Sequence, residues 1–73
     1  MKDIKCRFAA RLRELRIKTG LSVSELAERA GVSRQHVRDL EMTYPQKRAT
    51  IETVEKLANG LRLPAWKLLQ FKV

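Results

Sequence analysis

Two capped helix starts joined across one glycine turn constrain this 73-residue chain more than any other feature. Ser22 followed three residues later by Glu25 is a capping box: the hydroxyl takes one backbone N–H and the carboxylate reaches back to another. Leu21 precedes the cap and Leu26 sits four positions into the helix, the spacing of a hydrophobic staple. Leu26, Ala27 and Ala30 then form an apolar stripe, and Gly31 stands where a helix end favours positive φ. Only Gly31 and Val32 separate this helix from the next cap, Ser33. Val32 and Val37 repeat the staple spacing. Two short helices around so tight a turn must cross steeply, which is the geometry of a helix-turn-helix unit.

The rest of the chain also reads as helix, and nothing reads as strand. Ile4, Phe8, Leu12 and Leu15 recur at helical spacing from an Asp3 cap towards a Gly20 stop, giving a first helix over roughly Ile4 to Lys18. The third helix spans roughly Arg34 to Met42. The fourth starts at a Thr50 cap, carries Ile51, Val54, Leu57, Ala58 and Leu61 on one face, and ends near Asn59-Gly60. Pro64 suits the first turn of a fifth helix holding Trp66, Leu68, Leu69 and Phe71. Thr43 to Ala49 reads as a loop. The expected fold class is therefore all-α, a five-helix bundle in a single domain over residues 1–73. A chain this short buries only about 60–65% of its unfolded surface, so the core must be economical.

Charge narrows the partner. Sixteen Lys and Arg against eight Asp and Glu give a formal net charge of +8. Met1 to Thr19 holds seven basic and two acidic residues, Gly20 to Met42 three and four, and Thr43 to Val73 six and two. The basic flanks suit a polyanion, and the near-neutral middle must contribute something other than bulk charge. At about 100° per residue, Val37 and Leu40 of the third helix point inward. Arg34, Gln35, Arg38, Asp39 and Met42 point away, with His36 and Glu41 on opposite flanks. Arg can fork onto guanine, Gln can bond adenine through two contacts, and Asp can accept from cytosine, so this face suits a reader of the DNA major groove. The competing reading is an ordinary solvated polar face. Lys47 and Arg48, in the loop, suit phosphate contacts.

Several classes are excluded or left bare. No stretch is long and apolar enough to span a bilayer, and Met1 to Ala10 lacks the apolar run of a signal peptide. One cysteine and one histidine build neither a disulfide framework nor a four-ligand zinc site. There is no Gly-rich phosphate loop and no acid–base pair beside a nucleophile, so neither catalysis, a cofactor nor a small-molecule substrate is expected. Cys6 reads as a small packing residue rather than a redox centre. His36 reads as a polar residue near phosphate or at a helix start rather than a pH switch. Helix five holds more apolar side chains than one small core buries, so Trp66, Leu69, Phe71 and Val73 are candidates for a homodimer interface. The expected setting is cytoplasmic.

The stretch from Leu21 to Glu41 (LSVSELAERAGVSRQHVRDLE) resembles the helix-turn-helix of the phage-repressor, or Cro and repressor, family. The run Leu12 to Arg16 (LRELR) resembles that family's first-helix motif, and Ile51 to Leu61 its fourth helix. The resemblance implies a five-helix regulator that binds a partly palindromic double-stranded operator as a homodimer. It places Ser33, Arg34, Gln35 and Asp39 against bases or neighbouring phosphates, and Arg16 and Glu41 as an ion pair between helices one and three. Two departures stand out. Val23 occupies a position where the family often has a phosphate-contacting Gln, and Glu41 is followed by Met42-Thr43-Tyr44-Pro45 where the family often has Asn-Gly. The chain's length resembles the controller proteins of restriction–modification systems. A phage-type repressor, an antitoxin, or a protein-interaction module that keeps the motif as scaffold are the alternatives.

Overall fold

The computed structural model describes residues 4–42 and 49–70. Among them run five helices: α1 (Ile4–Lys18), α2 (Val23–Ala30), α3 (Arg34–Glu41), α4 (Ile51–Leu61) and α5 (Ala65–Leu68). The Asp3 cap, Lys47, Arg48, Phe71 and Val73 lie outside the described residues.

The local signals act as their chemistry requires. The Ser22 hydroxyl accepts from the Glu25 N–H at 3.1 Å, and the Ser22 N–H donates to Glu25 Oε1 at 3.0 Å. Gly31 closes α2 at φ 73°, while Val32 N–H returns to the Ala27 carbonyl at 3.0 Å. An L side chain at that φ would be strained, so the turn depends on glycine. Ser33 and Thr50 cap α3 and α4 through their hydroxyls.

The hydrogen bond from the Ser22 backbone, with a second from its hydroxyl, holds the Glu25 carboxyl below its ordinary value. A carboxylate with a lowered folded pKa stabilises the fold above its unfolded pKa, and that contribution disappears as pH falls through the folded pKa. Glu25→Gln is therefore expected to melt below the native chain at neutral pH, with the gap closing as the pH falls below the ordinary glutamate range. Thermal melts across that range check the sign.

The core is made by one stripe from each helix. Phe8, Leu12 and Leu15 of α1, Leu26, Ala27 and Ala30 of α2, and Val37 and Leu40 of α3 pack together. Val54, Leu57, Ala58 and Leu61 of α4 and Leu68 of α5 complete the cluster. No polar or charged residue is buried among the described residues. α2 makes its most extensive contact with α4, and α3 is held between α1 and α2. Arg11 ties α5 to α1 by donating Nε–H to the Lys67 carbonyl at 3.0 Å.

Three sequence expectations shift. Ile4 and Ile51, assigned to core faces, are exposed, because each is the first residue of its helix and projects past the packed stripe. α4 runs to Leu61, as its apolar face implies, and its C-cap Arg62 lies in the left-handed region at φ 59°. Pro64 is the N-cap of α5 rather than a residue of its first turn, and α5 is a single turn. α3 ends at Glu41, with Met42 as its C-cap.

Gly60 is a contact point. A Cβ there would lie 3.1 Å from the Ala30 backbone N and 3.1 Å from Leu26 Cδ1, so its bare face lets α4 approach α2 closely. Gly60→Val is expected to destabilise the fold by about 2 kcal/mol through overpacking. Gly60→Ala should change stability by less than about 1 kcal/mol, since a gain in helix propensity offsets part of the crowding. Urea melts of the two variants check this ordering.

Candidate nucleic-acid interface

The site is α3, and its rigidity comes from the side it hides. Val37 and Leu40 are fully packed, which fixes the helix in rotation. Its C-terminal end is tied down by one guanidinium. Arg16 Nε and Nη2 donate to the two Glu41 carboxylate oxygens at 2.8 and 3.0 Å, and Nη1 donates to the Leu21 carbonyl at 2.9 Å. One side chain thus joins α1, the turn before α2 and the end of α3. Both partners are largely shielded, with side-chain exposures of 14% for Arg16 and 7% for Glu41. The bidentate geometry adds direction as well as charge.

On the opposite side, Ser33, Arg34, Gln35, Arg38 and Met42 are exposed. His36 and Asp39 are half-buried at the edges of that face. Asp39, on the same side as Gln35, is half-buried and accepts from Gln35 Nε2 at 2.9 Å. Ser33 is occupied in part by capping, since its hydroxyl accepts from the His36 N–H at 3.1 Å. α3 therefore displays two arginines and one glutamine on a helix that cannot roll. Such a helix can offer a forked donor, an amide and a hydroxyl to a groove or a phosphate.

Sequence reasoning missed two contacts. The Leu21 carbonyl as a third acceptor for Arg16 leaves no trace in spacing. The Gln35–Asp39 bond does: an amide and a carboxylate four residues apart share a helix face. Val23, at the start of α2, is half-buried against the core. It therefore serves packing at the position where a phosphate contact was in question.

On α5, which packs against α1 and α4, Leu68 is fully buried while Trp66 and the C-cap Leu69 remain 59% and 53% exposed. Lys67 Nζ sits 5.6 Å over the Trp66 ring. These are large apolar surfaces three residues apart, on α5 and its C-cap. A groove on the α1 side is lined by Cys6, Ala10, Arg13, Glu14, Ile17, Glu41 and Met42. Among the described residues, no group of His, Cys, Asp and Glu could hold a metal ion, and no helix is long and apolar enough to cross a membrane.

A family model described as a helix-turn-helix domain matches residues 7–67. Several solved structures share the fold, three of them as follows. The restriction–modification controller protein C.AhdI from Aeromonas hydrophila is 34% identical, covers 88% of this chain and 94% of its own, and superposes with a TM-score of 0.81. The clp gene regulator ClgR from C. glutamicum is 25% identical, covers 94% and 87%, and gives 0.84. The biofilm master regulator SinR, solved in complex with DNA, is 32% identical, covers 86% and 98%, and gives 0.77. No curated protein matches the chain.

Proposed function

Because the chain belongs to the helix-turn-helix domain family, in its Cro and repressor form, we propose that it is a sequence-specific transcriptional regulator that binds double-stranded DNA as a homodimer on a partly palindromic operator. The observation that carries this reading is the outward face of α3: Arg34, Gln35 and Arg38 exposed on a helix locked by Val37, Leu40 and Glu41. With α3 in the major groove, its N-terminal residues reach base edges. Gln35 reads a base, since it has no charge to offer a phosphate, and Arg38 forks onto guanine. Arg34, in the first turn, can reach either guanine or backbone. Ser33 and His36 face the sugar-phosphate edge. Lys47 and Arg48 add phosphate contacts, in keeping with a net charge of +8. Asp39 borders the reading face.

The molecule acts as a single domain in the cytoplasm, with no catalytic step, cofactor or metal. Its likeness to a restriction–modification controller and to two other regulators favours gene control over an antitoxin or a protein-interaction scaffold. Selection of duplexes from a random library tests the reading. Enrichment of one motif, with affinity falling steeply in salt, is expected. Binding that is salt-dependent but indifferent to sequence would favour the protein-interaction alternative.

Dimerisation uses the C-terminal segment, with Trp66 and Leu69 as anchors and Phe71 and Val73 continuing the same apolar run. Two-fold symmetry would set the two recognition helices about 34 Å apart, one turn of DNA. Sedimentation should find a dimer at micromolar concentrations, and Trp66→Ala with Leu69→Ala should shift it to monomer without unfolding it. A native chain that sediments as a monomer would contradict the interface.

A further inference from the structure

The bond between Gln35 and Asp39 limits what Gln35 can read. Gln35 is exposed and Asp39 half-buried, one helical turn apart on the face of α3 that is turned from the core. Gln35 Nε2 donates to Asp39 Oδ1 at 2.9 Å. A carboxylate only accepts, so only the amino end of the carboxamide can face it. That arrangement commits one of the two Nε2 hydrogens and leaves one N–H and Oε1 for a ligand.

The two purines demand different things of that remainder. Adenine shows N7 as acceptor beside its N6 amino group as donor, which one N–H and one carbonyl oxygen match together. Guanine shows two acceptors, N7 and O6. A glutamine could satisfy both only by giving both of its N–H groups, and one is already held by Asp39. Turning the carboxamide over does not escape the limit, because Oε1 would then oppose the Asp39 carboxylate.

We propose that Asp39 is a positioning residue: by holding one N–H of Gln35 it makes that glutamine select adenine and reject guanine at one position of each half-site. The inference rests on the reading of α3 as the groove-entering helix. Asp39 acts here through Gln35 and makes no claim on that base itself. An exposed pair of this kind adds little to helix stability, so its removal leaves the fold in place.

The test uses the full chain as native protein, Gln35→Ala, Asp39→Ala and Asp39→Asn. Library selection with the native chain and with Gln35→Ala identifies the position whose preference depends on Gln35. Duplexes with adenine or guanine at that position are then titrated against all four proteins and against the double variant Gln35→Ala with Asp39→Ala. The native chain should favour adenine by roughly ten-fold or more. Asp39→Ala should bring that ratio within about three-fold, while the salt slope and the melting temperature stay near native values. Asp39→Asn, which can face Gln35 with either end of its amide, should relax the ratio as well. The double variant Gln35→Ala with Asp39→Ala should show the same ratio as Gln35→Ala alone. An adenine preference that survives Asp39→Ala overturns the proposal and leaves the regulator reading standing. A native chain that enriches no sequence overturns both.

Discussion

Arg16→Met is expected to lower the unfolding free energy by about 3 kcal/mol or more, because it leaves the Glu41 carboxylate shielded from water without its partner. Side-chain exposures of 14% and 7% put this pair well away from the surface class of ion pair, whose removal costs under about 1 kcal/mol. Glu41→Leu should cost somewhat less than Arg16→Met. Loss of the arginine also strips the Leu21 carbonyl of its donor, whereas an arginine without Glu41 keeps that bond. The double variant replaces both charges with apolar groups, so its loss should fall short of the sum of the single losses by at least about 1 kcal/mol. For a domain of this size, total stability is of the order of about 5 kcal/mol, so either single change removes more than half of it. Urea melts of the three variants measure the coupling. Additive losses would mean that the two residues do not act together.

Leu57→Ala is the second large effect. Leu57 is fully buried on α4, the helix that makes the most extensive contact with α2. Truncation removes apolar contact and leaves a cavity between two helices that Gly60 already brings close, for a loss of about 3 kcal/mol. Leu69→Ala is the control. The same chemical change at a half-exposed position should alter the stability of the folded chain by about 0.5 kcal/mol or less, while weakening self-association. Denaturant melts at low protein concentration separate the two. Equal losses at Leu57 and Leu69 would mean that Leu69 is packed within its own chain.

The features that could be read in advance are those set by a few neighbouring residues. The Ser22–Glu25 box, the Ser33 and Thr50 caps and the Gly31 turn are local chemistry, and each appears with the partners that its spacing implies. The inward pair Val37 and Leu40 follows from helical period alone. The family resemblance supplied the Arg16–Glu41 pairing, which spans 25 positions that no local rule connects.

What escaped was decided by tertiary contact. Gly60 reads as part of a helix end, and its neighbours in sequence do not show that its bare face lets α4 approach α2 closely. The helix then ends at its C-cap Arg62, where Leu63 N–H returns to the Ala58 carbonyl at 2.9 Å and Pro64 follows. Ile4 and Ile51 obey the helical period but lie at helix starts, beyond the surface that their neighbours cover. Asp39 has the angular position of a solvent-facing residue yet is half-buried. Periodicity gives direction from the helix axis; it does not say where the partner helix ends.

The central claim is that α3 reads DNA sequence, and Gln35→Ala tests it most directly. Gln35 is exposed and uncharged, and among the described residues its bond to Asp39 runs along its own helix, so its truncation changes neither the core nor the net charge. The measurement is the affinity of the native chain and of Gln35→Ala for the selected duplex and for a scrambled one, at several salt concentrations. Loss of a base contact should weaken binding to the selected duplex by about 1–3 kcal/mol, with little change on the scrambled duplex and an unchanged salt slope. Equal weakening on both duplexes would contradict the account, because α3 would then grip DNA at that point without reading it.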